Sequence, residues 1–191
     1  GFCVFSNMAI AARHAQAKHG VERVAIIDWD VHHGNGTQDV FWADKSVLFC
    51  STHEMPLYPG TGHLGERGEH NTIVNAPMVA GDNGEVFREV LESVILPRVD
   101  AFAPDLIMIS AGFDAHWRDP LANLQLNEND FAWATGRICD LAEKRCKGRV
   151  VSLLEGGYDL QGLAASVAIH VQALMRGTDA LDHNDDEDDE T

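Results

Sequence analysis

The sequence predicts an α/β fold with a parallel sheet and helices on both faces, and three observations predict it. Short apolar runs alternate along the chain with longer segments of helical period. The runs are apolar at consecutive positions rather than at every second one, as strands buried on both faces require. Polar and ionisable residues gather directly after several of these runs, where open parallel sheets bind their ligands. With 191 residues and 45% hydrophobic content, the chain is long enough for one domain with a real core.

Each element follows in order. "SNMAIAARHAQAK" (6–18) is Ala-rich with helical spacing, Ser6 or Asn7 is its candidate cap, and Gly20 closes it. "ERVAIIDW" (22–29) reads as a central parallel strand, "TQDVFWA" (37–43) as a short helix, and "SVLFCST" (46–52) as a second buried strand. Residues 53–71 are rich in Gly, Pro and His, and a loop this long in a compact domain points to function or disorder. "TIVNAPM" (72–78) is a candidate extended edge, and 83–102 has a helical period with Pro97 as the expected kink. "DLIMISAG" (105–112) and "RVVSLLEG" (149–156) read as buried strands, with an amphipathic helix at 128–146 between them and a last helix at 160–176. No solenoid-type repeat and no interdomain linker interrupts this order.

Charge and cysteine usage narrow the class. The net charge is −16, from 14 basic and 30 acidic residues. Seven of the acids lie in "DHNDDEDDE" (182–190); without them 14 basic face 23 acidic residues, still −9. That balance disfavours duplex DNA and anionic membrane surfaces, and suits a cationic partner such as a lysine-rich peptide or a polyamine. Residues 179–191 read as an acidic, disordered tail behind a domain at 1–178. Cys3, Cys50, Cys139 and Cys146 form no CxxC pair, so reduced thiols are expected, with Cys139 and Cys146 packed on a helix. No apolar stretch approaches the roughly 20 residues that span a bilayer. No basic, apolar leader is present, so a cytoplasmic location is expected. The chain opens at Gly1 inside a patterned segment and reads as a piece of a longer one.

"DWDVHHGNGTQ" (28–38) holds the densest chemistry. In an extended backbone Asp28, Asp30 and His32 face one side. Carboxylate oxygen and imidazole nitrogen suit a borderline divalent ion such as zinc. A lone Asp-x-His pair is more often a capping or surface feature, but Asp114, at the end of the 105–112 strand, is the natural third ligand. Three protein ligands leave an open, catalytic coordination position. His33 is the alternative ligand; an extended segment turns it away from His32, so a packed or hydrogen-bonded neighbour is expected. Two carboxylates neutralise a divalent ion, so its water is less acidified than with three histidines, where the pKa falls to about 7. Such a site needs a separate general base and an oxyanion donor. Tyr158, after Gly156-Gly157, is the candidate donor, a surface turn tyrosine being the bland alternative. No base is evident: His53, His63, His70 and His116 lie in loops, none tied to an acid by spacing.

Read together, "GFCVFSNMAIAA", "DWDVHHGNGTQ", "STHEMPLYPGTG", "SAGFDAHWRDPL" and "LLEGGYDL" resemble, in order and over about residues 1–176, the zinc-dependent histone deacetylase family. The likeness is best to class II-like deacetylases and acetylpolyamine amidohydrolases, within the arginase–deacetylase fold group. It implies a three-layer fold of which the first strands are missing here. It implies zinc on Asp30, His32 and Asp114, with ferrous iron as the alternative, and Tyr158 as oxyanion donor. It also implies supporting roles for Asp28 and Asn35. A structural potassium ion would sit on backbone oxygens of Asp28, Asp30, His32 and Thr52 and the Ser51 side chain. An acyl-lysine tunnel would be formed by Phe2, Tyr58 and Gly157, with Leu121 at its rim. The implied substrates are acetyl-lysine peptides or acetylpolyamines; neither nucleic acid nor membrane is an expected partner, and assembly state is left open.

One departure matters. The family's catalytic histidine pair lies shortly upstream of the residues matched by Gly1–Cys3, so this segment by itself is expected to be inactive. The base found wanting from ligand charge is the same one found wanting from resemblance. Two other readings stand beside the hydrolase: a non-catalytic zinc protein that binds acetylated ligands or a partner, and a binuclear manganese ureohydrolase. The last wants a D-A-H-x-D block, and both "DVHHG" and "DAHWR" lack its final aspartate.

Overall fold

A computed structural model describes residues 3–176. Gly1, Phe2 and the acidic segment 179–191 lie outside the described residues, and with them the expected tail and one tunnel residue. Five strands, β1 (Val24–Asp28), β2 (Val47–Glu54), β3 (Ile73–Met78), β4 (Leu106–Ala111) and β5 (Val150–Leu154), form one sheet in the order β3-β2-β1-β4-β5. Every pairing is parallel; Val24 stands opposite Val47 on one side and Leu106 on the other. The helices are α1 (Asn7–His19), α2 (Asn35–Phe41), α3 (Gly84–Val90), α4 (Leu96–Phe102), α5 (Glu128–Cys146) and α6 (Leu160–Arg176).

Successive residues of a strand face opposite sides, and here both sides are buried. Val24, Ile26, Phe49 and Met108 pack with Met8 and Ala12 of α1. Ala25, Ile27, Leu48 and Ile109 pack with Phe87, Val99, Phe131 and Ile138 of the opposite helical layer. This double burial is why the strands read as continuous apolar runs. Residues 149–156 differ: among the described residues β5 lies at the sheet edge, with Val151 42% and Leu154 61% exposed, rather than buried on both faces as expected.

Local signals set the helix ends. The Ser6 hydroxyl accepts the Ala9 amide at the start of α1, and Gly20 (φ 65) ends that helix in the left-handed region. Asn127 and Asp130 form a reciprocal capping box on α5. The expected kink at Pro97 takes another form. Proline has no N–H to donate, and the irregularity lies upstream as a π-helical turn, Leu91–Ile95, from which α4 restarts with Pro97 in its first turn. α2 begins at Asn35, two residues before its expected start, capped by Gly34.

α6 is anchored through a buried histidine. His170 Nδ1 lies 2.7 Å from Thr135 Oγ1 on α5, and Nε2 lies 2.8 Å from Ser152 Oγ on β5. Thr135 already donates its proton to the Phe131 carbonyl at 2.6 Å, so it accepts from Nδ1–H. Nε2 then accepts from Ser152, and the ring is neutral. Burial depresses its pKa from 6.5 to about 4. In that interval the unfolded chain binds more protons than the folded one. Stability is therefore full above about pH 6.5 and declines as pH falls towards 4, the slope ending near 4. Urea unfolding of His170→Asn across this interval is expected to show a flatter pH dependence than wild type; equal slopes would remove His170 as the source.

Candidate metal centre

Strand order reverses between β1 and β4: the chain builds β2 and β3 on one side of β1, then returns to place β4 and β5 on the other. The carboxyl ends at such a switch point leave a crevice. Asp30 follows β1 and Asp114 follows β4. With His32 they bring three ligand atoms within 4.8 Å of one another.

The local route to this cluster differs from the extended backbone expected. β1 ends at Asp28, and the chain then folds through two side-chain-to-backbone turns. Asp28 Oδ1 accepts the Asp30 amide at 3.0 Å, and Asp30 Oδ1 accepts the His32 amide at 2.8 Å. Asp114 Oδ1 accepts the Val31 amide at 2.9 Å, tying the β4 loop to the β1 loop. Its other oxygen lies 3.0 Å from His32 Nδ1, which is also 3.2 Å from Asp30 Oδ1. Two glycines let the carboxylates in. A Cβ on Gly156 would meet Asp114 Oδ2 at 2.2 Å, and one on Gly112 would meet Asp30 Oδ2 at 2.4 Å.

Electrostatics mark the cluster as one that wants a cation. The flanking carboxylates raise His32 to about 10, Asp114 first and Asp30 next. Burial raises Asp114 to about 6 in spite of its bond to His32. Burial works on Asp30 the same way, but hydrogen bonds from the His32 ring, the His32 amide and the Gly156 amide outweigh it and lower its pKa. Asp28 is held well above the usual carboxylate range by burial, then by Asp30 and Glu155. Donor atoms about 2 Å from a tetrahedral ion stand roughly 3.3 Å apart, close to the separations around His32 Nδ1. Two carboxylates and an imidazole therefore fit a divalent ion by chemistry and by spacing.

A cavity of about 450 Å3 opens over the cluster, bounded by Cys3, Asp30, His32, Leu57, Tyr58, Leu121, Glu155, Gly156 and Tyr158 among others. That is the size of a small-ligand site. The Tyr58 ring stands 6.4 Å from that of His32. Leu121 is 46% and Tyr158 39% exposed. Burial and the carboxylates of Asp114 and Asp30 push the Tyr158 phenol up to about 12. Gly156 borders this cavity, while a Cβ built on the neighbouring Gly157, expected in the tunnel, would meet Leu163 and Phe113. Asp28 and Asn35 border a smaller adjoining cavity of about 220 Å3, together with Ser110 and Glu155. Ser51 and Thr52 lie buried near the end of β2, Ser51 opposite Asp28 in the sheet.

The other histidines stand apart. His33 bonds Thr61 Oγ1 at 2.7 Å and Gln38 Oε1 at 3.0 Å, the hydrogen-bonded neighbour the sequence suggested. His53 is buried between Ser51 Oγ and the Gly62 carbonyl, and burial lowers it to about 4. His116 Nε2 lies 3.3 Å from Glu128 Oε1, an acid that loop spacing could not have paired with it. Neither borders the cavity, where His32 is the histidine among the described residues. Sequence reasoning missed two acids. Glu155 touches both cavities, and burial followed by Asp30 raises its pKa; its signal was its place directly after β5. Asp119, buried in the "RDPL" segment, carries no periodic or spacing signal at all.

Comparison with known proteins matches residues 1–174 to the histone deacetylase domain family. The chain is 48% identical over 184 residues to "Histone deacetylase 14, chloroplastic" of Arabidopsis thaliana, covering 95% of this chain and 43% of that protein. It is 41% identical over 162 residues to "Histone deacetylase-like amidohydrolase" of Pseudomonas aeruginosa, covering 83% of this chain and 43% of that protein. It superposes on the crystal structure of the HDA15 HD domain with a TM-score of 0.86 at 40% identity, covering 92% of this chain and 50% of that one. The chain thus spans about half or less of the length of these relatives.

Proposed function

This chain belongs to the histone deacetylase domain family, and we propose that it supplies the metal-binding and oxyanion-binding part of a zinc-dependent hydrolase that removes acetyl groups from acetylated amines. The single observation carrying this reading is the convergence of Asp30, His32 and Asp114 at the β1–β4 switch point, at the base of a cavity bordered by Tyr158. Those three side chains would hold the ion, which when bound activates water and polarises the acetamide carbonyl. Tyr158 donates its phenolic hydrogen to the oxygen on which negative charge develops. Tyr58 and Leu121 flank the alkyl stem of the acetylated amine. Asp28 and Asn35 support the loop from beneath. The backbone of Asp28, Asp30, His32 and Thr52, with the Ser51 side chain, would hold a potassium ion beside that loop.

The proton-transferring histidine this chemistry needs is proposed to come from sequence preceding Gly1. An acetyl-lysine peptide or an acetylpolyamine is the proposed substrate, as the net charge of −16 favours a ligand whose remaining, unacetylated amines are cationic. Cys3, Cys50, Cys139 and Cys146 are free thiols in this structure. Among the described residues, no helix is long and apolar enough to cross a membrane.

Acetate release by the full-length, zinc-loaded protein tests the reading, with an acetyl-lysine peptide and an acetylpolyamine assayed in parallel. Turnover of either supports it. Binding of both without turnover would establish the non-catalytic alternative.

A further inference from the structure

We propose that Asp119 is the positioning residue for Tyr158, holding that tyrosine and the rim residue Leu121 in one frame; this rests on the hydrolase reading above. Asp119 is 6% exposed and does not border the cavity. Its two oxygens serve two backbone donors from separate segments of the chain. Oδ2 accepts the Tyr158 amide at 2.7 Å, and Oδ1 accepts the Leu121 amide at 2.9 Å. Both bonds are charge-assisted, the stronger kind.

The segment before Tyr158 cannot fix that residue by itself. Gly157 sits at φ 140, a conformation L residues rarely adopt, and glycine brings the widest choice of backbone conformations to the position before Tyr158. Gly156 is held by Asp30 and Phe113, and Asp159 caps the start of α6, so the bond to Asp119 is what holds the Tyr158 amide itself between them. Beside Asp119, Arg118 Nε donates to Asp159 Oδ1 at 3.0 Å and its Nη2 to Gln161 Oε1 at 2.8 Å. At the far end of the same segment Glu54 accepts the Asn123 amide at 2.7 Å and its side chain at 2.8 Å. Leu121 is therefore clamped on both sides, and Asp119 transmits that rigidity to Tyr158. Only a carboxylate can do this: an asparagine has one acceptor oxygen, and its NH2 would face an N–H.

The test compares wild type, Asp119→Asn, Tyr158→Phe and the double variant in the full-length protein. With an acetyl-lysine peptide, Asp119→Asn is expected to lower kcat roughly 10- to 100-fold, the scale of a small misplacement, with a smaller rise in KM from the loosened Leu121 and zinc content within about twofold of wild type. Added to Tyr158→Phe it is expected to cost nothing further in kcat, because its effect on kcat acts through the phenol. Asp119→Glu, with both acceptor oxygens, should recover part of the rate. A second readout needs no activity: in the metal-free protein, NMR hydrogen exchange at the Tyr158 and Leu121 amides should accelerate at least about tenfold in Asp119→Asn as those bonds open. Unchanged exchange, or a loss of kcat that adds fully to that of Tyr158→Phe, would overturn the assignment. Absence of turnover in wild type overturns the hydrolase reading instead, and the exchange comparison still decides whether Asp119 holds Tyr158.

Discussion

Asp114→Ala is expected to strip the protein of bound metal and to lower acetate release by about 10³-fold, the several kcal/mol a Lewis acid supplies at about 1.4 kcal/mol per decade. Asp114 is fully buried and its two oxygens have separate duties. One accepts the Val31 amide and holds the two ligand loops together; the other faces His32 and the proposed ion. Alanine removes both, so part of its effect is structural, with the orphaned amide alone costing about 1–3 kcal/mol. Asp114→Asn separates the duties. It keeps the volume and an oxygen for Val31 but removes the charge. Metal analysis after desalting should give one zinc per wild-type chain and little in either variant, with Asp114→Asn retaining more of the wild-type stability. Full zinc affinity in Asp114→Asn would take Asp114 out of the ligand set.

The same residue shows what the sequence could and could not tell. Asp114 was legible because it sits at the end of an apolar run, and the β1 run ends in the same way. Strand ends can be read from composition, and a parallel sheet with its switch point between β1 and β4 brings those ends together. The limits of α5 and α6 were equally legible, since a capping box and a long apolar stripe are local signals. What was misread depends on side-chain-to-backbone bonds, some local and some remote in the chain, that hydrophobic pattern does not record. Asp28, Asp30 and His32 gather through turns rather than along a strand, because each aspartate finds the amide two residues on. No periodicity encodes that. A side chain at Gly156 would collide with Asp114 and Asp30, a close approach between residues far apart in the sequence that a run of two glycines does not by itself announce. Asp119 bonds an amide 39 residues away, so nothing in its neighbourhood marks it.

Tyr158→Phe is expected to lower kcat by roughly 10²- to 10³-fold, the usual cost of losing one oxyanion donor, with zinc content unchanged. Burial and the nearby carboxylates push the phenol up to about 12, so it keeps its proton throughout any ordinary assay range and acts as a donor. Phenylalanine removes that donor alone. The ring volume persists, and the backbone amide still reaches Asp119. Surface substitutions of this kind usually move stability by no more than about 0.5 kcal/mol, so a normal unfolding midpoint is expected beside the lost rate. The size of the effect distinguishes the two functions open to this site. In a protein that only binds acetylated ligands, the hydroxyl contributes an ordinary hydrogen bond of about 0.5–1.5 kcal/mol, roughly a 2- to 10-fold change in Kd. In a hydrolase the same hydroxyl acts where charge develops, so its loss falls on kcat far more than on ligand affinity. Measuring kcat and the Kd of an uncleaved substrate analogue in the same variant therefore separates them. A large drop in kcat with a small change in Kd places Tyr158 on the reacting oxygen, and an unchanged kcat in an active enzyme removes it from the chemistry.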